Sequence, residues 1–137
     1  MSKQTLLKLC LVVFFFLVGL LFAKASQAAE ACLDPSLAME PAIVHEGSSA
    51  TVRTYITEKC GTDHRLKLLY KFRGPQRCEV FFFKKHEQRE ISANGWLNVD
   101  VGYQGPRCLG DWSVKLEIFE PGVGLVTTTS APFTVVE

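Results

Sequence analysis

The chain has 137 residues, 47% of them hydrophobic, with 15 lysines and arginines against 14 acids, a formal charge of +1, and five cysteines. The near-neutral total argues against a dedicated nucleic-acid binder. The length leaves room for one domain.

The amino terminus reads as a cleavable export signal. Lys3 and Lys8 supply a positive start, residues 9–23 are unbroken apolar, and Ser26-Gln27-Ala28 fits the small-x-small cleavage pattern. Cleavage is expected after Ala28, with Ala25 or Ala29 as alternatives. Residues 1–28 are then a signal peptide and residues 29–137 the mature domain. A retained anchor fits less well. The apolar run would make a helix about 22 Å long, whereas a bilayer core of about 30 Å needs about 20 residues. Cys10 sits inside the run rather than after small residues, which argues against a lipoprotein. The expected location is secreted or periplasmic, with no stable membrane insertion once the signal is gone.

Losing Lys3, Lys8 and Lys24 leaves 109 residues with 12 bases against 14 acids, a charge of −2. A chain of that size buries roughly 60–70% of its extended surface, enough for one core. The charge is uneven. Residues 29–58 carry five acids and one base, Arg53, while residues 59–89 carry nine bases against Asp63, Glu79 and Glu87. Those bases are either the solvated faces of strands or a surface for an anionic partner.

Cys32, Cys60, Cys78 and Cys108 remain after cleavage, an even number in an oxidising compartment, and read as two disulfides. Three pairings are open. An echo favours Cys32–Cys60 with Cys78–Cys108: Gly74-Pro75-Gln76-Arg77-Cys78 and Gly105-Pro106-Arg107-Cys108 are near-copies, and turns at one end of a sandwich would bring them together. Each such bridge closes a loop worth about 3.6 kcal/mol in the chain-entropy model.

Along the mature chain the period is two almost throughout. Residues 42–45 form a short apolar piece, and residues 46–49 a turn. Residues 51–57 set Val52, Thr54 and Ile56 against Arg53 and Tyr55. Residues 65–73 set Leu66, Leu68, Tyr70 and Phe72 against Lys67, Lys71 and Arg73, one buried and one wet face. Residues 79–85 are expected as a strand, apolar on both faces, and residues 86–90 as a polar loop. Asn94-Gly95 is a turn signal. Residues 96–103 set Leu97, Val99 and Val101 against Asn98 and Asp100. Residues 111–120 set Trp112, Val114, Leu116 and Ile118 against Ser113, Lys115 and Glu117. Residues 121–124 read as a hairpin loop, and residues 125–129 and 133–136 as a last strand interrupted at Pro132, at an edge or a bulge. About seven short antiparallel strands with regular turns read as an all-β, two-sheet sandwich.

The segment Gly110-Asp111-Trp112-Ser113-Val114-Lys115-Leu116, followed by a glycine loop and Ala131-Pro132-Phe133-Thr134-Val135-Val136, resembles the last hairpin of immunoglobulin-like and fibronectin-type-III-like modules of secreted bacterial proteins. The resemblance implies an immunoglobulin-like β-sandwich and carries no function. The chain departs from antibody-type domains in having no cysteine in the Trp112 strand.

Chemistry is sparse. His45, His64 and His86 show no metal-ligand spacing, and there is no nucleophile elbow or phosphate loop. Asp100 and Asp111 are the carboxylates that would have to meet in space for glycoside hydrolysis. The expectation is no enzyme, no metal and no cofactor. The aromatics are more informative. Most are expected between the sheets, Trp112 among them. Consecutive Phe81, Phe82 and Phe83 must point to both faces of a strand. Val80 and Phe82 are assigned to the core, leaving Phe81 and Phe83 outside beside Lys71, Arg73, Lys84 and Lys85. Those six residues form the candidate binding surface, for a protein or an anionic envelope component, or for a second copy of the chain in a homodimer. The alternative is a small exported hydrolase inhibitor working through a disulfide-held loop at residues 74–78 or 105–108.

Overall fold

The computed structural model describes Lys3, Gln4, Lys8, residues 32–104 and residues 107–137. The chain divides into two units, Met1–Ala31 and Cys32–Glu137. The expected signal peptide and its cleavage point, and Gly105-Pro106 of the second echo, lie outside the described residues apart from Lys3, Gln4 and Lys8.

The second unit is an all-β sandwich of eight described strands: β1 (Leu33–Glu40), β2 (Ile43–His45), β3 (Ser49–Glu58), β4 (His64–Arg73), β5 (Phe82–Ile91), β6 (Trp96–Gln104), β7 (Gly110–Glu120) and β8 (Gly124–Val136). One sheet has three strands in the order β1-β3-β6, and the other has five in the order β2-β8-β7-β4-β5. All pairings are antiparallel except β2 with β8. This layout, with the first strand split between the two sheets, is immunoglobulin-like.

The alternating strands behave as their pattern dictates. In β3, Val52, Thr54 and Ile56 are buried; in β4, Leu66, Leu68, Tyr70 and Phe72; in β7, Trp112, Val114, Leu116 and Ile118. Aromatic rings fill one end of the core. Phe72 stacks on Tyr103 at 5.0 Å between centroids, Tyr103 meets Phe133 edge-on at 5.3 Å, and Trp112 stacks on Phe133 at 6.2 Å. Trp112 is 2% exposed, and its indole N–H donates to the Cys108 carbonyl at 3.1 Å. Both favoured disulfides are present, with Cα separations of 5.1 Å for Cys32–Cys60 and 5.9 Å for Cys78–Cys108. Cys32 precedes β1 and Cys60 follows β3, whereas Cys78 and Cys108 lie in the β4–β5 and β6–β7 connections. One bridge therefore clamps each end of the sandwich.

Four expectations need correction. Residues 33–40 form a strand that the pattern did not reveal. As β1 is an edge strand, it tolerates Pro35 and needs no clean alternation. Residues 86–90 are not a loop but the second half of β5, and β5 starts only at Phe82. Residues 74–81 turn first, with Cys78 N–H donating to the Pro75 carbonyl at 3.0 Å and Gly74 N–H to the Phe81 carbonyl at 2.7 Å. The last strand is continuous through Pro132, and the bulge lies instead at Ile118/Phe119. Pro132 is tolerated because β2 pairs only with Thr134, Val135 and Val136, so β8 is an edge at that point. Asn94-Gly95 does turn the chain, with Asn94 at φ 54°, but it carries it from one sheet to the other.

Candidate functional site

Register on the outer face of the five-stranded sheet gathers the bases. Lys71 on β4 sits opposite Lys84 of β5 on one side and Lys115 of β7 on the other. Arg73 sits between Phe82 and Ser113, and Lys67 between Gln88 and Phe119. Like charges directly across a sheet repel. Glu117, from the row containing Leu69, relieves this in part: its carboxylate contacts the Lys71 ammonium. Phe82 lies flat enough on this face for both neighbours to use it. The Arg73 guanidinium carbon and the Lys84 ammonium each stand 5.5 Å from its ring centroid. Arg73 and Lys84 thus flank one exposed ring, and the row continues across the sheet through Lys71 to Lys115, with the Glu117 carboxylate against Lys71.

Three of the six candidate residues, Lys71, Arg73 and Lys84, are on this face. Phe81 is 42% exposed but lies in the connection before β5. Phe83 and Lys85 were assigned to the wrong side. Phe83 packs against the core and stacks on Phe72 at 4.5 Å and 6°. Lys85 points to the same side of β5 and donates to the Gly102 carbonyl of β6. Phe82 and Val80, expected in the core, are exposed at 37% and 55%. A strand over residues 79–85 inverts these faces, because β5 in fact runs from Phe82 to Ile91. Counting back from buried Ile91 puts the odd positions inward, a signal that was masked by the polar run 86–90. For Lys115, alternation shows an outward side chain but not that β7 adjoins β4.

The chemically richest cluster lies at the end of the sandwich that holds Cys32–Cys60. Glu58, buried at the end of β3, accepts N–H bonds from Cys60 at 2.8 Å, Gly61 at 2.9 Å and Asn94 at 2.6 Å. Burial pushes its carboxyl up, but the backbone donors of Asn94, Cys60, Gly61 and Thr62 outweigh this and hold it at about 2. His64 Nδ1 lies 2.7 Å from Glu120, and its Nε2 lies 2.9 Å from Thr62 Oγ1 and 3.4 Å from Glu58. Burial opposes charge on the imidazole. The hydrogen bond and charge of Glu120, then those of Glu58, raise its pKa above the ordinary value.

Thr62, His64 and Glu120 have the hydroxyl–imidazole–carboxylate order of a nucleophilic triad. The N–H groups beside them, which an oxyanion would need, are bonded to Glu58 instead. The cluster ties together the ends of β3, β4 and β7. Cys32 and Cys60 also approach Glu58 closely enough to suggest metal ligation, but their sulfurs are joined to each other, which leaves one carboxylate. Asp100 and Asp111 lie on the outer faces of different sheets and do not meet.

The chain matches no protein-family model and no curated protein. Its fold is similar to parts of solved structures at low identity. An alkylpurine DNA glycosylase of Pseudomonas fluorescens aligns with a TM-score of 0.62 and 10% identity, over 77% of this chain and 31% of that one. A β-glucosidase of Erythrobacter marinus aligns at 0.60 and 8%, over 76% of this chain and 15% of that one. The CARDB domain of a Pyrococcus furiosus protein, solved with di-metal ions, aligns at 0.59 and 12%, over 76% of this chain and 89% of that domain. The chain therefore spans less than a third of each of the two enzymes and nearly the whole of the CARDB domain. At these identities the likeness is one of fold: an immunoglobulin-like module.

Proposed function

We propose that the protein is an exported, non-enzymatic binding module that engages an anionic partner, an acidic protein surface or an envelope polymer, through the outer face of its five-stranded sheet. The observation that carries this reading is the cross-strand row Lys84–Lys71–Lys115, flanked by Arg73 and Phe82, in a chain whose mature charge is −2. Like charges held abreast weaken a sheet, and an acidic partner would convert that repulsion into attraction. Export is supported by residues 1–28 and by the two disulfides, which persist in oxidising compartments.

Heparin serves as a polyanion probe. The protein should be retained on it at low salt and released as salt screens the contact. The triple variant Lys71→Glu, Lys84→Glu, Lys115→Glu should elute earlier than a variant with Arg65, Arg77 and Arg89 reversed. Equal elution of the two variants would refute the assignment.

The inhibitor reading keeps one observation in its favour. Val80 and Phe81 are exposed in a connection held by the Cys78–Cys108 bridge and by the Gly74–Phe81 hydrogen bond. A partner captured by this loop would be lost in Val80→Asp with Phe81→Ser and kept by the lysine reversals.

A further inference from the structure

The other sheet carries a different surface. On the outer face of β3 and β6, Tyr55 and Trp96 are diagonal neighbours: Tyr55 faces Asn98 and Thr57 faces Trp96. Their rings stack with centroids 5.9 Å apart and planes 24° apart. Both are open to solvent, Trp96 at 66% and Tyr55 at 44%. Around them the sheet is low and polar, with Ser36 opposite Tyr55 on β1 and Gly102 further along β6. A shallow hollow of about 330 Å³ beside Tyr55 is lined by Ser36, Ala38, Arg53 and Asn98, at the small end of the range for small-molecule sites.

The polar groups beside the rings are free to bind. Among the described residues, the side chains of Asn98 and Asp100 make no hydrogen bond and no ion pair. Most other charges on this face are matched, Arg53 with Glu40 at 3.1 Å and Lys59 with Asp34 at 3.0 Å. This face therefore offers an aromatic platform, a free amide and a free carboxylate, without the excess of cations found on the opposite sheet.

We infer that Tyr55 and Trp96 form a platform for a neutral oligosaccharide of pyranose sugars. The electron-rich face of an aromatic ring attracts the polarised C–H bonds of a pyranose, and the stacked pair offers its outward ring face to a sugar unit, with Trp96 the more exposed of the two. Hydroxyl groups at the ring edge would donate to the Asp100 carboxylate and exchange bonds with the Asn98 amide. A protein partner fits less well. A stable protein interface buries about 800 Å² on each side around an apolar centre, and here two rings stand among serine, alanine, threonine and glycine. Charges on this face balance, with Arg53 opposite Asp100 in register, so the face does not select an anionic ligand as the opposite sheet does.

The test uses the full chain with cellohexaose and hexa-N-acetylchitohexaose, both neutral, as probes, followed by titration calorimetry and tryptophan emission. Saturable binding to at least one hexasaccharide is expected, weakened at least about tenfold by Trp96→Ala and by Tyr55→Ala. Trp96→Tyr should retain most of it. Because both side chains are exposed, thermal melting should hardly move in any of these variants. The lysine reversals on the opposite sheet should bind sugar normally, so failure of the polyanion reading leaves this one standing. No binding to either probe overturns the inference, as does binding that Trp96→Ala leaves unchanged. A dimer that becomes monomeric in Trp96→Ala would give the platform to a second copy and overturn it as well.

Discussion

Gly74 marks a place where the fold has no room for a side chain. A β-carbon built there would lie 2.4 Å from Cε2 and Cζ2 of Trp112 and 2.6 Å from Cδ2. Ordinary contact needs about 3.5 Å, so the ring or the backbone must yield by about 1 Å. The ring is held on several sides. It is 2% exposed, lies 6.2 Å from Phe133 and 6.5 Å from Phe83, and its N–H is bonded to the Cys108 carbonyl at 3.1 Å. The Gly74 backbone is held by its bond to Phe81. Overpacking of this kind costs about 1–3 kcal/mol. The lower chain entropy of alanine in the unfolded state returns at most about 1 kcal/mol. Gly74→Ala should therefore destabilise the domain by about 1–2 kcal/mol, a fall in Tm of roughly 4–9 °C for a domain of about 106 residues. Trp112→Phe removes Cζ2 and shortens the ring on the side that the new methyl would strike. In that background the cost of Gly74→Ala should shrink, and thermal melts of the four proteins in the cycle measure the coupling. An unchanged or raised Tm in the single variant, or strict additivity in the cycle, would refute the packing argument.

Two further outcomes follow from the ends of the sandwich. Glu58 titrates at about 2 in the folded protein against an ordinary value of 4.5, so its contribution is complete above 4.5 and lost as pH falls through about 2. His64 is raised above its ordinary 6.5, so its contribution is complete below 6.5 and lost as pH rises through the raised value. Tm should be highest between about pH 4.5 and 6.5, and His64→Gln should flatten the decline on the alkaline side; an unchanged profile in that variant would remove the cluster as its cause. The exported protein should begin at Ala29 by mass spectrometry, contain no thiol that labels without reductant, and yield a Cys78–Cys108 peptide on non-reducing mapping. Replacing that pair with serines should cost about 2–4 kcal/mol.

How much was legible in the sequence varied with how completely each strand is sandwiched. The strands over residues 51–57, 65–73, 96–103 and 111–120 lie where two sheets face each other, so one side had to be apolar, and alternation alone gave their faces, the core position of Trp112 and the outward lysines of β4. The disulfide pairing was readable because Cys78 and Cys108 each follow a similar Gly-Pro segment in the sequence. Elements at the margins were not readable. The five-stranded sheet is wider than its three-stranded partner, so β5 is an edge strand and is polar on both sides from Lys84 to Glu90, before Ile91 returns to the core. That hid half of the strand and inverted the Phe81–Phe83 register. β1, another edge, carries a proline and shows no period. Which strands neighbour one another is likewise absent from a local pattern. The row Lys84–Lys71–Lys115, the Tyr55–Trp96 platform and the approach of His64 to Glu120, 56 residues away, exist because of strand order and register. The sequence by itself determined the faces of the strands sandwiched between the sheets, since one side of each had to be apolar, and favoured the bridges through the echo; the tertiary structure alone decided the edge strands and which exposed side chains stand together, because proximity on a sheet surface comes from pairing across the chain.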